Sequence, residues 1–139
     1  MSLPPIPYNI VVMDHFLNPR NAGDLPKPDA VGEAGEPGCG DVMRLSLQIK
    51  RGRITDARFK TIGCAAAIAS SSMATELIKG RTLQQARRFS NQEVVTALGG
   101  LPAEKVQCSV LASQALRAAL EDYARRHPRK TAARQLGQG

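Results

Sequence analysis

The sequence predicts an α+β fold, a small antiparallel sheet packed on one face by helices. Two observations carry this prediction. Apolar and polar residues alternate through Met43–Lys50 and again toward Ile62, and a glycine-containing turn separates the two runs, which indicates a β-hairpin. After Cys64 the period changes to that of a helix, and helical patterns continue to about residue 124.

The chain of 139 residues is long enough for one domain with its own core. We expect this domain to span residues 1–124 and residues 125–139 to form a basic, disordered tail. Much of the net charge of +7 lies in that tail. No aromatic residue lies between the basic ones, as a base-stacking surface would require, so the sequence disfavours nucleic-acid binding.

No apolar run approaches the roughly 18 residues that span a bilayer, and the first residues lack the pattern of a signal peptide. We therefore expect no membrane association and a cytoplasmic location. The three cysteines should stay reduced there, and their odd number argues against a disulfide framework.

The first predicted element is a short helix over Tyr8–Leu17. It ends before Pro19, because a residue that precedes proline is biased away from the α conformation. Residues Arg20–Gly40 are rich in Gly, Pro and Asp and predict a long irregular segment. Segments of that length inside a compact domain are often functional.

The hairpin follows this segment. Its first strand buries alternate residues from Met43, and Arg51-Gly52-Arg53 forms the turn. Its second strand covers Ile54–Ile62. The alternation slips between Ile54 and Ala57, which indicates a β-bulge there.

A helix over Cys64–Lys79 comes next, and Gly80 closes it. Residues Ala65–Ala69 are apolar on all sides, so this helix should be largely buried. Three more helices are expected: one capped by Thr82 that runs through Arg88, one from Ser90 or Asn91 through Leu98, and an amphipathic one from Cys108 through Tyr123.

The three cysteines occupy positions that are typical of a reactive or metal-binding thiolate. Cys39 lies in a glycine-rich turn two residues before Asp41, whereas Cys64 and Cys108 each open a helix, where backbone N–H groups favour negative charge. Three thiolates and a carboxylate suffice for Zn²⁺ or for one edge of a [2Fe–2S] cluster. The alternative is that Cys108, on the apolar stripe of its helix, only fills space in the core.

Neither histidine is expected to be a ligand. His15 is interpreted as a surface or capping residue of the first helix, and His127 as a solvated residue of the basic tail.

Motifs in a fixed order run through residues 8–124: Val12-Met13-Asp14-His15-Phe16 with Asn18-Pro19-Arg20-Asn21, Cys39-Gly40-Asp41, Phe59-Lys60-Thr61-Ile62-Gly63-Cys64, and Gly99-Gly100-Leu101-Pro102 ahead of Cys108-Ser109. With them the chain resembles the IscU/NifU family of iron–sulfur cluster assembly scaffolds. The glycine pair before the third cysteine favours the amino-terminal module of NifU proteins within that family.

The resemblance implies a scaffold or carrier and not an enzyme. Sulfur and iron would combine on it into a transient [2Fe–2S] cluster, which then passes to apo iron–sulfur proteins. The family pattern places cluster and metal ligands at Cys39, Asp41, Cys64 and Cys108, with Asp41 either a ligand or a neighbour that keeps the cluster labile. It also implies that Cys108 accepts sulfur from a cysteine desulfurase as a persulfide, and it places Tyr8 at the position of a family tyrosine.

One residue departs from the family pattern. Gln107 stands where members usually carry His, directly before the third cysteine, and an amide oxygen is a weak, hard donor. The alternative function is therefore a zinc-holding sulfur acceptor of SufU-like chemistry, with Zn²⁺ on the same four residues. Those relatives carry an insertion between the second and third cysteines that is missing between Cys64 and Cys108.

The stretch Leu101-Pro102-Ala103-Glu104-Lys105 resembles, at three of its five positions, the family's hook for an Hsp70-type chaperone. Its other interpretation is a proline-bearing connector before the last helix.

Overall fold

Antiparallel strands form a three-stranded sheet, as the alternating sequence predicts. The computed structural model describes residues 8–35 and 40–127. Within this part of the chain, strands β1 (Ala30–Gly35), β2 (Val42–Lys50) and β3 (Arg53–Ile62) lie side by side in chain order. The predicted α+β class is confirmed.

Helices cover the apolar face of this sheet. The described residues form α1 (Ile10–Leu17), α2 (Ala65–Ile78), α3 (Leu83–Arg87), α4 (Asn91–Ala97) and α5 (Val110–Arg126), and a 3₁₀ helix at Ala103–Ser109. The longest of them, α5, packs on β1 and β2, while α2 packs on β3. Alternate side chains of β2 fill the core between the layers: Met43, Leu45, Leu47 and Ile49.

The hairpin and its bulge lie where the sequence predicts them. Gln48 pairs with Asp56 and Ile49 with Ile54, so Thr55 is the extra residue that interrupts the register. Arg51 and Gly52 both have positive φ, at 55° and 73°, as a tight two-residue turn of the I′ type requires.

Strand β1 corrects the prediction that residues 20–40 are irregular. It pairs with β2 from Ala30 opposite Leu47 to Gly35 opposite Val42. Its residues are mostly Ala and Gly, which have weak β propensity, so the sequence pattern gives no strand signal. The small residues allow α5 to lie directly on the strand: a Cβ on Gly32 would stand 2.3 Å from the Ala115 carbonyl oxygen.

The short helices α3 and α4 begin where their capping residues predict. The Thr82 hydroxyl accepts a hydrogen bond from the Gln85 N–H at 3.1 Å, and the Gln85 side chain accepts one from the Thr82 N–H at 2.9 Å. At the start of α4, the Glu93 carboxylate accepts a hydrogen bond from the Ser90 N–H at 3.1 Å.

The end of the last helix lies two residues beyond the predicted domain boundary at residue 124. Arg125 and Arg126 belong to α5 and form ion pairs with Asp122 at 3.4 and 3.2 Å. Residues 128–139, most of the predicted tail, lie outside the described residues, so their disorder stays a prediction. Among the residues that are described, no helix has both the length and the hydropathy needed to cross a membrane.

Both histidines differ from their sequence-based interpretation. His15 is buried, and its Nδ1 lies 2.8 Å from the Ser72 hydroxyl of α2, which also accepts the Arg20 N–H at 2.9 Å. His127 is half-buried, and its ring stacks on Tyr123 with centroids 4.4 Å apart. His15 therefore ties α1 to α2.

We expect the stability of this packing to fall in mild acid because of His15. Burial, followed by the charge of Arg20, holds the pKa of His15 below its usual value, although Asp14 and Glu76 act in the opposite direction. The unfolded chain then binds the proton more readily than the folded one. Stability is fully present above the unfolded pKa, near 6.5, and is lost as pH falls toward the lower folded pKa.

Urea unfolding at pH 7 and pH 5, in wild type and His15→Gln, measures this contribution. Both proteins share every carboxylate, so the difference between their pH responses isolates the imidazole. We expect wild type to lose more stability than the variant, and equal losses would contradict the assignment.

Candidate metal centre

Three of the four predicted ligands converge at one end of the hairpin. Asp41 immediately precedes β2, Cys64 caps the start of α2, and Cys108 lies in the 3₁₀ helix. Their ligand atoms all lie within 4.8 Å of one another. Cys39, the fourth predicted ligand, lies outside the described residues.

Strand pairing explains how Asp41 meets Cys64. Val42 pairs with Ile62 at the end of the β2–β3 ladder, which places Asp41 beside Gly63. The Cys64 N–H donates to Asp41 Oδ1 at 3.3 Å, and the Cys64 thiol lies 3.6 Å from Oδ2. A Cβ on Gly63 would stand 2.5 Å from Asp41 Oδ1, so a larger residue there would displace the carboxylate from this position.

Gly63→Ala is therefore expected to weaken metal binding by displacing the Asp41 carboxylate. Loss of groups that orient metal ligands typically costs about 10- to 100-fold in affinity. Competition for Zn²⁺ against a chromophoric chelator measures the change, with the thermal unfolding midpoint as the control for folding. A folded variant with wild-type affinity would show that Asp41 does not need this position.

Cys108 differs from the thiolate expected at a helix start. It is the second-last residue of the 3₁₀ helix, two positions before α5 begins, and its side chain is buried against Ala66 and Ala67. Burial, followed by the neighbouring Cys64 and Asp41, raises the pKa of Cys108 to about 12. A thiol with this pKa is neutral at pH 7, because burial penalises the charged thiolate.

The two sulfur atoms of the site are in contact. Cys64 Sγ lies 3.6 Å from Cys108 Sγ, and Cys64 is the more exposed of the two. Cys64 occupies the N-cap position of α2 without a side-chain capping bond, as its position at the helix start predicts. The interpretation of Cys108 as a mere core filler does not explain this contact with a second thiol and a carboxylate.

Tyr8 borders the centre. Its ring is half-buried and packs with Leu101 and Leu111 against the pocket of Cys108. Burial, together with the nearby Cys64, raises the pKa of Tyr8, so the phenol stays neutral at pH 7. The tyrosine at the family position therefore lies beside Cys64 and Cys108.

A cavity of about 320 Å³ opens beside the centre. Asp41, Cys108 and Gln107 line it together with Gln114 of α5, and Gln107 is exposed to solvent. No motif marks Gln114. Val110 also lines the cavity, and Gln114 follows it by four residues, a helical spacing that places both on the same side of α5.

Comparisons with known proteins identify the family of this chain. The NifU-like N-terminal domain family matches residues 7–130. The chain is 48% identical over 130 residues to "Iron-sulfur cluster assembly scaffold protein IscU 1" of Archaeoglobus fulgidus, covering 94% of this chain and 85% of the relative.

A second relative, "Iron-sulfur cluster assembly scaffold protein IscU" of Azotobacter vinelandii, is 50% identical over 120 residues, covering 84% of this chain and 93% of the relative. A crystal structure from Fervidobacterium islandicum, described as a scaffold protein for the SUF system, shares the fold. Its TM-score is 0.65 at 23% identity, with 81% of this chain and 96% of that chain covered. By sequence and by fold, the chain belongs to the NifU-like N-terminal domain family.

Proposed function

We propose that this protein is a scaffold on which iron and sulfur are assembled into a transient [2Fe–2S] cluster, its cargo, which then passes to apo iron–sulfur proteins. The observation that carries the proposal is the convergence of Asp41, Cys64 and Cys108 within 4.8 Å. Cysteine thiolates are the usual ligands of such clusters. The relatives are named as scaffold proteins for iron–sulfur cluster assembly, which supports a carrier and not an enzyme.

The cluster would be held by Cys39, Asp41, Cys64 and Cys108. A carboxylate oxygen is a harder donor than a thiolate and binds iron of a cluster less firmly. Asp41 in place of a fourth cysteine therefore favours a cluster that can leave. Cys39 is assigned from the sequence motif, one glycine away from Asp41.

The partners follow from this chemistry. A cysteine desulfurase would deliver sulfur to Cys108, and apo-proteins would receive the finished cluster. An Hsp70-type chaperone would bind Leu101–Lys105, a stretch that enters the 3₁₀ helix and exposes Ala103 and Glu104. We place the protein in the cytoplasm, where free thiols stay reduced.

Gln107 supports a second candidate function. Because its amide is a poor substitute for an imidazole ligand, the same residues would serve a zinc-holding sulfur acceptor instead. Thiolates and one carboxylate suit tetrahedral Zn²⁺ as well as they suit iron.

Anaerobic reconstitution separates the two functions. Metal-stripped wild type and Gln107→His are incubated with iron, cysteine and a cysteine desulfurase, and visible absorption and circular dichroism are recorded. We expect a chelator-labile [2Fe–2S] spectrum in both proteins. A spectrum in Gln107→His alone, with Zn²⁺ tightly held by wild type, would favour the sulfur acceptor.

A further inference from the structure

Cys64 and Cys108 are close enough to react with each other. Their sulfur atoms lie 3.6 Å apart, and a disulfide requires about 2.05 Å, so a movement of less than 2 Å would join them. The two residues differ in access, because Cys108 is buried whereas Cys64 is half-exposed. A sulfur atom carried on Cys108 would have Cys64 as its neighbouring thiol.

We propose that Cys64 releases sulfide from a persulfide on Cys108, so that the cysteine pair itself supplies the two electrons that reduce the delivered sulfur. This inference rests on the proposed function, in which Cys108 accepts sulfur. It adds a reductive step to a site that otherwise only binds and assembles.

The step balances in atoms and electrons. The Cys64 thiolate attacks the inner sulfur of Cys108–S–SH, the Cys64–Cys108 disulfide forms, and the outer sulfur leaves as HS⁻. The outer sulfur gains two electrons, and the thiolate pair is oxidised to the disulfide. A cellular dithiol then reduces the disulfide and restores both thiols for the next sulfur.

Asp41 orients Cys64 for the attack. The Cys64 thiol lies 3.6 Å from Asp41 Oδ2, and the same carboxylate accepts the Cys64 N–H at 3.3 Å. Because Cys64 is half-exposed, the proton of its thiol can pass to solvent.

The cavity beside the centre gives the outer sulfur room. Its volume is about 320 Å³, and both Cys108 and Asp41 line it. The amides of Gln107 and Gln114 also line it, and their N–H groups are suitable donors for a leaving HS⁻. Sulfide would therefore form next to the residues proposed to bind iron.

Attack on the outer sulfur is the competing reaction. It would move the persulfide from Cys108 to Cys64 and release nothing, so sulfide production distinguishes the two. Cys64 is held with its sulfur 3.6 Å from that of Cys108, which favours it over an external thiol as the nucleophile.

The test uses the metal-free, full-length protein without any thiol reductant. A cysteine desulfurase is loaded with persulfide, freed of cysteine by gel filtration, and mixed anaerobically with wild type or Cys64→Ser. Intact mass, peptide mapping and colorimetric sulfide are then measured. In wild type we expect about one sulfide per sulfur transferred and a Cys64–Cys108 cross-link.

In Cys64→Ser we expect the added sulfur, about 32 Da, to remain on Cys108 and sulfide release to fall at least about tenfold. Cys39→Ser is the comparison for the remaining cysteine. Release that persists in Cys64→Ser but disappears in Cys39→Ser would assign the attack to Cys39 and overturn the proposal.

A stable persulfide on wild-type Cys108 would overturn the reductive step and leave sulfur acceptance intact. Absence of added sulfur on Cys108 in Cys64→Ser, with no sulfide from wild type, would overturn sulfur acceptance and the inference with it. The two failures are therefore distinguishable.

Discussion

Gly32→Ala is expected to destabilise the protein by about 3 kcal/mol, at the upper end of what forced overpacking of a core usually costs. The added Cβ would lie 2.3 Å from the Ala115 carbonyl oxygen and 2.3 Å from the Ala119 backbone nitrogen. Both atoms belong to the main chain of α5, so no side-chain rotation can relieve the collision. The helix would have to move away from β1.

Urea unfolding followed by circular dichroism measures this loss, and Glu33→Ala is the matched control in the same strand. Glu33 is exposed, and its ion pair with Arg44, at 2.9 Å, lies on the surface. Exposed pairs contribute about 0–1 kcal/mol, so the control should remain near wild type. A Gly32→Ala protein as stable as that control would refute the close packing of α5 on β1.

Cys108→Ser is expected to abolish both sulfur acceptance and cluster formation. Serine has no sulfur atom that could carry a persulfide, and its hydroxyl is a poor ligand for a cluster iron. In the desulfurase assay we expect no persulfide adduct at position 108. In the iron reconstitution we expect cluster absorbance to fall at least about tenfold, because a thiolate ligand is missing.

Ser113→Ala is the control for this substitution. Ser113 lies on α5, five residues after Cys108, and its hydroxyl donates to the Val110 carbonyl at 2.9 Å. Its cluster yield should match that of wild type. If Cys108→Ser also assembles a full cluster, the ligand set proposed above is wrong.

The sequence allowed the hairpin and the main helices to be predicted because their signals are local. Alternation from Met43, the bulge before Ala57 and the cap at Thr82 each depend on neighbouring residues. Strand β1 has no such signal, since Ala and Gly are placed there by the packing of α5 and not by strand propensity.

The same distinction applies to the centre. Asp41 and Cys64 lie near the ends of predicted strands and helices, and the structure brings them together with Cys108. The burial of Cys108, which keeps its thiol neutral, depends on Ala66 and Ala67 of another helix and is invisible in its own segment. The contact between His15 and Ser72 likewise joins residues far apart in the chain.

The origin of the ligands in separate segments affects how a bound cluster would be held and released. The β2–β3 ladder holds Asp41 near Cys64, whereas Cys108 comes from a separate 3₁₀ helix that reaches them by tertiary packing. Bound iron would therefore link these segments, and the free energy of iron binding would add to the stability of their packing. Because linked equilibria are reciprocal, a partner that displaces one of these segments would also lower the affinity of the centre for the cluster. Release then requires only a local opening of the fold, not the breaking of each bond by a competing ligand.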